Sequence, residues 1–218
     1  MANRKPTNKY YFTVEGETEH WYLKWLQDVI NKTDEAVCKV SIDCPIEKNP
    51  LKRAKSLTVT GKTEIYHLFD YESDDNFHVE AFQNAMDNMK KAEKIGKQIK
   101  YKSGYSNFSF DLWIILHMDN CKTFFHRKQY ITPINKVFNE KFEDMHEFKK
   151  EDNFKRCLKK MDLSNVIAAV ERASKIMQKN KENGYKLIEY KGYHYYKENP
   201  SLSMWEAIEN ILKDCKLI

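Results

Sequence analysis

Acidic residues closely follow two apolar, strand-like runs of the sequence. Glu15 comes after the run YYFTV, and Asp70 and Glu72 come after the run IYHLF. Carboxylates that meet at one point repel one another unless a cation neutralises them. Hard oxygen ligands of this kind are also the usual way in which proteins hold Mg²⁺ or Mn²⁺ beside a phosphate. The residue types therefore predict a site for one of these cations at Glu15, Asp70 and Glu72.

The two acidic groups meet only if the runs that precede them are neighbouring parallel strands. Over residues 1–110, strand-like runs alternate with helix-like segments, and this pattern predicts a mostly parallel sheet with right-handed crossovers. Ligands of such a sheet bind outside the carboxyl ends of its strands. We therefore predict an α/β fold in which helices flank the sheet and Glu15 and Asp70 lie side by side. Side chains on opposite edges, or a lysine or arginine between them, would remove the metal site.

Individual elements are predicted from local patterns. Strands are expected at residues 9–14, 37–44, 63–69 and 97–102, and a loop at 103–107. Helices are expected after an N-cap at Thr18, at 50–57, from Val79 to Met89, at 153–161 and 165–180, and after an opening at Pro200 and Ser201. The apolar run 108–117 is buried in either conformation, because its periodicity does not choose between strand and helix. Residues 185–196 have no clear pattern.

The composition is that of a folded intracellular protein. Of the 218 residues, 41% are hydrophobic and 32% are charged, which is a globular balance. The first residues contain no apolar signal segment, and no stretch approaches the roughly 18 apolar residues of a membrane span. We therefore predict a cytoplasmic protein that does not enter membranes. Five cysteines without a CxxC pair indicate free thiols, and neither a disulfide framework nor a zinc site.

Charge is distributed unevenly along the chain. Residues 1–120 hold 17 Lys and Arg against 18 Asp and Glu, whereas residues 121–218 hold 20 against 14. We predict an α/β core over 1–120 and a basic, largely helical part over 121–218 that packs on it. A basic surface beside an acidic site suits nucleic acid, although solvated faces also carry such charges. The candidate nucleic-acid contacts are Lys122, Arg127, Lys128, Lys155 and Arg156.

Four segments resemble one known family, in the order in which that family carries them. VEGETEHWYL at 14–23 is similar to the opening motif of RloB-like proteins with a Toprim domain, and LFDYESDD at 68–75 to their second acidic motif. SNFSFDLWIILH at 106–117 is similar to a serine-containing segment of the family, and ENPSLSMWEAI at 198–208 to a helix start near its C-terminus. The second motif departs from the usual Asp-x-Asp, because Glu72 stands at its last position, and Asp74 is the substitute metal ligand.

The resemblance implies a metal-dependent nuclease of Toprim-like fold that serves bacterial abortive-infection defence against phages beside a partner ATPase. It assigns Glu15 as metal ligand or general base, and Asp70 and Glu72 as catalytic metal ligands. The implied substrate is nucleic acid, whether DNA, RNA or tRNA. Two further acids are secondary candidates: Glu19, one helical turn past Glu15, and Asp111, which stands at an acidic position of the third motif.

Other interpretations stay open at this stage. His117 is another secondary candidate, although a lone histidine that closes an apolar run is more often a core residue than a proton carrier. The glutamate in the second motif and the large helical part also fit a catalytically silent module that docks on an ATPase. A housekeeping RNA-processing enzyme is a third interpretation. Neither the substrate, the number of metal ions nor the oligomeric state follows from the sequence.

Overall fold

The strands and helices alternate along most of the first half of the chain. The structure is a computed structural model that describes residues 5–121, 123–124 and 126–218. Its strands are β1 (Thr7–Val14), β2 (Lys39–Asp43), β3 (Thr63–Tyr71), β4 (Ile99–Asn107), β5 (Ile188–Tyr190), β6 (Tyr193–Tyr195) and β7 (Ser201–Leu202). Its α-helices are α1 (Glu17–Lys32), α2 (Pro50–Ser56), α3 (Asn76–Ala92), α4 (Asp111–Met118), α5 (Ile131–Phe138), α6 (Met145–Phe148), α7 (Glu151–Leu158), α8 (Leu163–Glu182) and α9 (Trp205–Asp214). A 3₁₀ helix at Arg127–Tyr130 precedes α5.

One sheet of five strands has the order β2-β1-β3-β4-β7, and β5 and β6 form a separate hairpin. The pairs β1–β2, β1–β3 and β3–β4 are parallel, whereas β7 runs antiparallel to β4. The prediction of an α/β fold with a mostly parallel sheet flanked by helices is confirmed. Because β1 and β3 are neighbours, their carboxyl ends lie at the same edge of the sheet.

Helices cover both faces of the sheet. One buried cluster joins Phe12 and Leu68 to side chains of α1, α4, α8 and α9. The other cluster joins Ile65 and Phe69 to α2, α3 and the β5–β6 hairpin. Successive side chains of a strand point to opposite faces, so Asp70 lies on the face of Leu68, toward α1 and α4. None of the helices that the structure describes combines the length and the apolar character needed to cross a bilayer.

The prediction of a loop at residues 103–107 is wrong. These residues form the second half of β4, and they pair with β3 from Ser103 opposite His67 to Asn107 opposite Tyr71. Small polar residues of the kind found in turns continue the strand here, because pairing with a neighbouring strand overrides their weak strand propensity.

Both ends of the chain contain a helix start that local patterns misplace. The N-cap of α1 is Gly16 and not Thr18. Ser201 does not open the last helix, because it belongs to β7 and α9 begins at Trp205. The undecided apolar run is helical over Asp111–Met118, and nearly all of its side chains are buried. A helix enclosed on all sides is apolar at every position and therefore lacks a helical period.

Gly104 lies where β4 comes very close to β3. A Cβ at this position would be 2.5 Å from Leu68 Cδ2 and 3.2 Å from the carbonyl oxygen of His67. Both neighbours are buried, so neither moves without disturbing the core. We expect Gly104→Ala to lower the free energy of unfolding by about 1–2 kcal/mol, the usual cost of overpacking, as measured by urea unfolding. Gly61→Ala is the control, because a Cβ there meets no atom within 4 Å. Equal stability of the two variants would contradict the close approach.

Candidate functional site

Glu15 and Asp70 lie at the carboxyl ends of two neighbouring strands. Glu15 is the first residue after β1, and Asp70 is the next-to-last residue of β3. Val14 pairs with Leu68, so the two acids sit at nearly the same level of the sheet. The backbone N–H of Asp70 is close enough to the Glu15 carboxylate to affect the pKa of Glu15. The structure therefore brings these two residues together, as the sequence predicts.

Two further acids, Glu19 and Asp111, join them from helix N-termini. Glu19 lies in the first turn of α1, and Asp111 is the first residue of α4. Their exposed fractions are only 6% and 2%. Glu19 Oε2 accepts a hydrogen bond of 2.9 Å from Thr18 Oγ1, and Asp111 Oδ2 accepts one of 2.7 Å from Ser109 Oγ. The positive end of a helix dipole favours a carboxylate at both places.

The spacing of the EGETE motif follows from this geometry. Gly16 follows Glu15 and immediately precedes α1, and a Cβ there would lie 3.0 Å from Glu19 Oε2. The glycine therefore leaves room for the Glu19 carboxylate. Glu17 is exposed. The motif thus delivers Glu15 and Glu19 to the site and leaves the acid between them in solvent.

Burial and mutual repulsion raise the pKa values of Glu15, Glu19 and Asp70. Burial raises the pKa of Glu15 from its ordinary value of 4.5 to about 7, with a contribution from the charge of Glu19 and an opposing one from Lys48. The pKa of Glu19 is raised by burial, and the charge of Asp111 adds to the effect. The pKa of Asp70 is raised well above its usual range by burial and then by the charges of Glu19 and Glu15. The four carboxylates therefore behave as one electrostatic unit.

The raised pKa of Glu15 predicts how stability depends on pH. Its carboxyl group holds a proton up to about pH 7 in the folded protein but only to about pH 4.5 in the unfolded chain. The folded protein thus binds more protons in this range, and the free energy of unfolding falls as the pH rises through it. We expect Glu15→Gln to be about 1–2 kcal/mol more stable than wild type at about pH 8, and equally stable at about pH 4, in metal-free buffer.

Urea unfolding in EDTA at the two pH values measures this difference. Glu17→Gln is the control, because Glu17 is exposed within the same motif, and its stability should follow that of wild type at both pH values. A Glu15→Gln variant less stable than wild type at about pH 8 would show that the Glu15 charge does not oppose folding.

A lysine from the second half of the chain completes the cluster. Lys149 follows α6, and its Nζ lies 2.8 Å from Asp111 Oδ2. Burial lowers the pKa of Lys149, but the charges of Asp111 and Asp70 outweigh it and raise the pKa. Lys149 also lowers the pKa of Asp70, whereas the cation that acts on Glu15 is Lys48. The ammonium group therefore neutralises the Asp111 side of the cluster.

Lys149 carries no sequence signal that marks it as a site residue. It stands in a polar stretch where lysines and acids alternate, beside an equally charged Lys150. Its position is fixed by its neighbour Phe148, which is buried and whose ring centroid lies 5.7 Å from that of Phe142 and 5.4 Å from that of Phe154. Phe154 in turn lies against Trp21 of α1, with ring centroids 6.0 Å apart, so a contact between distant segments places this lysine beside the cluster.

Glu72 and Asp74, two of the predicted metal ligands, have other partners. Glu72 Oε2 lies 2.5 Å from Arg127 Nη1. Its charge still contributes to the raised pKa of Glu15, so Glu72 borders the cluster. Asp74 is exposed, and its Oδ1 accepts a hydrogen bond of 2.6 Å from Tyr71 Oη. Metal binding by these two residues stays a prediction, and the two helix-borne acids take their places in the cluster.

His117 lies in the core with both ring nitrogens in hydrogen bonds. Nδ1 lies 2.8 Å from the carbonyl oxygen of Trp113, and Nε2 lies 3.1 Å from Tyr22 Oη. Burial lowers the pKa of His117 to about 4, so the ring is neutral at physiological pH. The hydrogen bond to Tyr22 holds α4 against α1, which is the role of a core histidine and not of a proton carrier.

The basic residues predicted to contact nucleic acid are mostly paired with acids. Lys122 lies outside the described residues, and Lys128 is exposed. The pairs are Arg127 with Glu72, Lys155 with Glu151 and Arg156 with Glu140, at 2.5, 2.5 and 3.0 Å. Much of their charge is therefore neutralised locally. Contact of these residues with nucleic acid stays a prediction.

The donor chemistry of the cluster fits a hard divalent cation. Asp111 Oδ1 is buried and has no hydrogen-bond partner among the described residues, and such an atom is costly unless something binds it. In residues 5–121, 123–124 and 126–218, no three or more His, Cys, Asp or Glu side chains are grouped so that they hold a metal ion as they stand. A cation would have to draw the carboxylates together and to compete with Lys149 for Asp111.

The sheet and its edge define an α/β protein with an acidic cluster at the carboxyl ends of parallel strands, where such sheets bind their ligands. A sequence model of the family described as RloB-like protein matches residues 10–211. The chain belongs to the RloB-like family, which confirms the resemblance of its motifs. Comparison with curated proteins and with solved structures gives no match.

Proposed function

We propose that the protein is a divalent-metal-dependent nuclease that hydrolyses phosphodiester bonds of nucleic acid. The observation that carries the proposal is the convergence of Glu15, Glu19, Asp70 and Asp111 at one edge of the sheet, with the pKa of Glu15 raised to about 7. Buried groups with such shifts concentrate at functional sites, because repulsion between them opposes folding. Hard oxygen donors in this number suit Mg²⁺ or Mn²⁺.

Each side chain has a defined task in this proposal. Glu15, with a pKa of about 7, is poised to accept a proton from the attacking water at neutral pH. Asp70, Glu19 and Asp111 would hold Mg²⁺ or Mn²⁺, and the ion would supply positive charge to the scissile phosphate and to the attacking water. With Asp111 engaged by the ion, the ammonium group of Lys149, which lies 2.8 Å from Asp111 Oδ2, would be available to contact the phosphate.

We place this activity in the cytoplasm, as an effector of bacterial abortive-infection defence against phages beside a partner ATPase. Support comes from membership of the RloB-like family and from the resemblance of its motifs to Toprim nucleases. DNA, RNA and tRNA are all candidate substrates, because each presents the same phosphodiester to the acids.

Cleavage of labelled nucleic acids by the purified protein tests the proposal. DNA, RNA and tRNA are each incubated with Mg²⁺, with Mn²⁺ and with EDTA, and the products are separated by gel electrophoresis. We expect at least one substrate to be cut with a divalent ion and none to be cut in EDTA. Cleavage that is unchanged by EDTA would remove the metal from the proposal, and a protein that cuts none of the substrates would contradict the activity.

A catalytically silent module that docks on an ATPase is the second candidate. It is favoured by the ammonium group that already stands 2.8 Å from Asp111 and by the absence, in the part of the chain that the structure describes, of three grouped metal-ligand side chains. In that case Lys149 locks the acids as a permanent counter-charge. Titration calorimetry with Mg²⁺ and Mn²⁺ separates the two candidates. Only the nuclease is expected to release or absorb heat on binding the metal, and substitution of the acids should abolish that heat.

A further inference from the structure

A cavity of about 490 Å³ lies between the C-terminal half of α8, the residues that follow α4, and the segment Asn199–Pro200. Its volume is within the range of sites that bind small molecules or single nucleotides. Three cations line it, namely Arg172, Lys175 and Lys179, and none of the lining residues that the structure describes is acidic. The cavity therefore offers a positive surface to an anion.

The lysines of this cavity are less closely paired with acids than Arg127, Lys155 and Arg156. Lys175 approaches an acid only at 3.9 Å, from Glu171, and the two side chains are 80% and 64% exposed. Lys179 forms no ion pair with any residue whose placement is described. Exposed charges that are only weakly paired attract phosphate, because the carboxylates near them cancel little of their field.

Arg172 fixes this surface to the core of the protein. Its Nη1 donates hydrogen bonds of 2.7 and 3.0 Å to the carbonyl oxygens of Leu116 and His117, at the end of α4. The helix that carries the two lysines is thereby attached to the helix that begins with Asp111. The basic cavity and the acidic cluster thus have a fixed relative position at opposite ends of α4.

Hydrogen bonds also connect the cavity with the sheet edge. Asn199, in the cavity wall, donates from Nδ2 to the carbonyl oxygen of Asn107 at 2.6 Å and to Tyr130 Oη at 2.8 Å. Asn107 pairs with Tyr71, the residue after Asp70. A single hydrogen bond therefore joins the cavity wall to β4, which lies next to the strand that carries Asp70.

We propose that this cavity binds the sugar-phosphate backbone of a single-stranded segment of nucleic acid that flanks the bond held at the acidic cluster. The inference rests on the proposed nuclease function and names where the substrate lies. Lys175 and Lys179 contact phosphates. Tyr185, in the cavity wall and 41% exposed, offers its ring to an unpaired base, because every base has a face that stacks on an aromatic side chain.

Binding is measured without cleavage, in EDTA, by the fluorescence anisotropy of a labelled single-stranded oligonucleotide at several salt concentrations. The double variant Lys175→Met/Lys179→Met is compared with Lys159→Met/Lys181→Met, which removes the same charge outside the cavity. Loss of two phosphate contacts is expected to weaken binding about 20-fold at roughly 0.1 M salt and to reduce the slope of log K against log salt by about 1.4. The control should stay within about twofold of wild type.

Each outcome separates this inference from the function on which it rests. If the two double variants bind the oligonucleotide with equal affinity, the cavity does not bind the backbone, and the nuclease proposal stays intact. Failure of the wild-type protein to bind any oligonucleotide would contradict the nuclease proposal itself. If micromolar mononucleotide displaces the oligonucleotide and inorganic phosphate does not, the cavity binds a free nucleotide and not the backbone of a nucleic acid. Thermal unfolding of both double variants confirms that they fold.

Discussion

Replacement of Asp70 by asparagine is expected to reduce metal-dependent cleavage of nucleic acid by about 1,000-fold. A carboxylate that holds the cation contributes a full negative charge, and an amide of the same shape contributes none. Asp70 lies at the centre of the cluster, because the charges of Glu19, Glu15 and Asp111 all contribute to raising its pKa. Initial rates with Mg²⁺ and with Mn²⁺, at saturating and subsaturating metal, measure the effect.

The loss of activity is separable from unfolding. The charged form of Asp70 is disfavoured in the folded protein, so removing the charge is expected to preserve or raise stability. Asp75→Asn is the matched control, because Asp75 is an exposed acid of the same segment and is bound by Ser73 Oγ at 2.8 Å. If Asp70→Asn cleaves as fast as Asp75→Asn, Asp70 does not hold the cation.

Replacement of Lys149 by methionine is expected to lower the free energy of unfolding of the metal-free protein by about 2 kcal/mol. Removing one partner of a buried ion pair costs about 3–5 kcal/mol, and the 38% exposure of the Lys149 side chain reduces this figure. Asp111 loses its cation at 2.8 Å, and Asp70 loses the charge that lowers its pKa. A protein of this size should lose about 4–8 °C in Tm.

Mg²⁺ should restore much of the stability that Lys149→Met loses, because a divalent cation can replace the missing ammonium group among the acids. Lys150→Met is the control, since Lys150 is the exposed neighbour of Lys149, and its stability should be close to that of wild type with or without Mg²⁺. Unfolding in urea, in EDTA and in Mg²⁺, measures both. If Lys149→Met is as stable as Lys150→Met in EDTA, the ammonium group is not the counter-charge of the cluster.

The positions of Glu15 and Asp70 could be predicted because they depend on local patterns. Each follows a short apolar run, and the alternation of such runs with helical segments indicates a parallel sheet. The rule that ligands bind at the carboxyl ends of parallel strands then identifies the edge. The same reasoning placed Glu72 at this edge. It could not predict the ion pair with Arg127, whose Nη1 lies 2.5 Å from Glu72 Oε2, because Arg127 is distant in the sequence.

Glu19 and Asp111 were harder to rank, because their importance comes from burial and not from residue type. Many acids occupy the first turn of a helix as simple caps. Only packing shows that these two are enclosed, with exposures of 6% and 2%. The run that contains Asp111 also gave no periodicity, since a helix buried on all sides needs no polar face.

By itself, the sequence determined the α/β class, the order of most elements, the family to which the chain belongs and the two acids at the strand ends, because these depend on short-range periodicity and on local motifs. The tertiary structure alone decided which other charges meet those acids. Lys149 reaches Asp111, and a basic cavity forms between α8 and the end of α4, because contacts between residues far apart in the chain set these distances. Local patterns do not encode such contacts, since propensity acts over a few residues and packing acts across the whole fold.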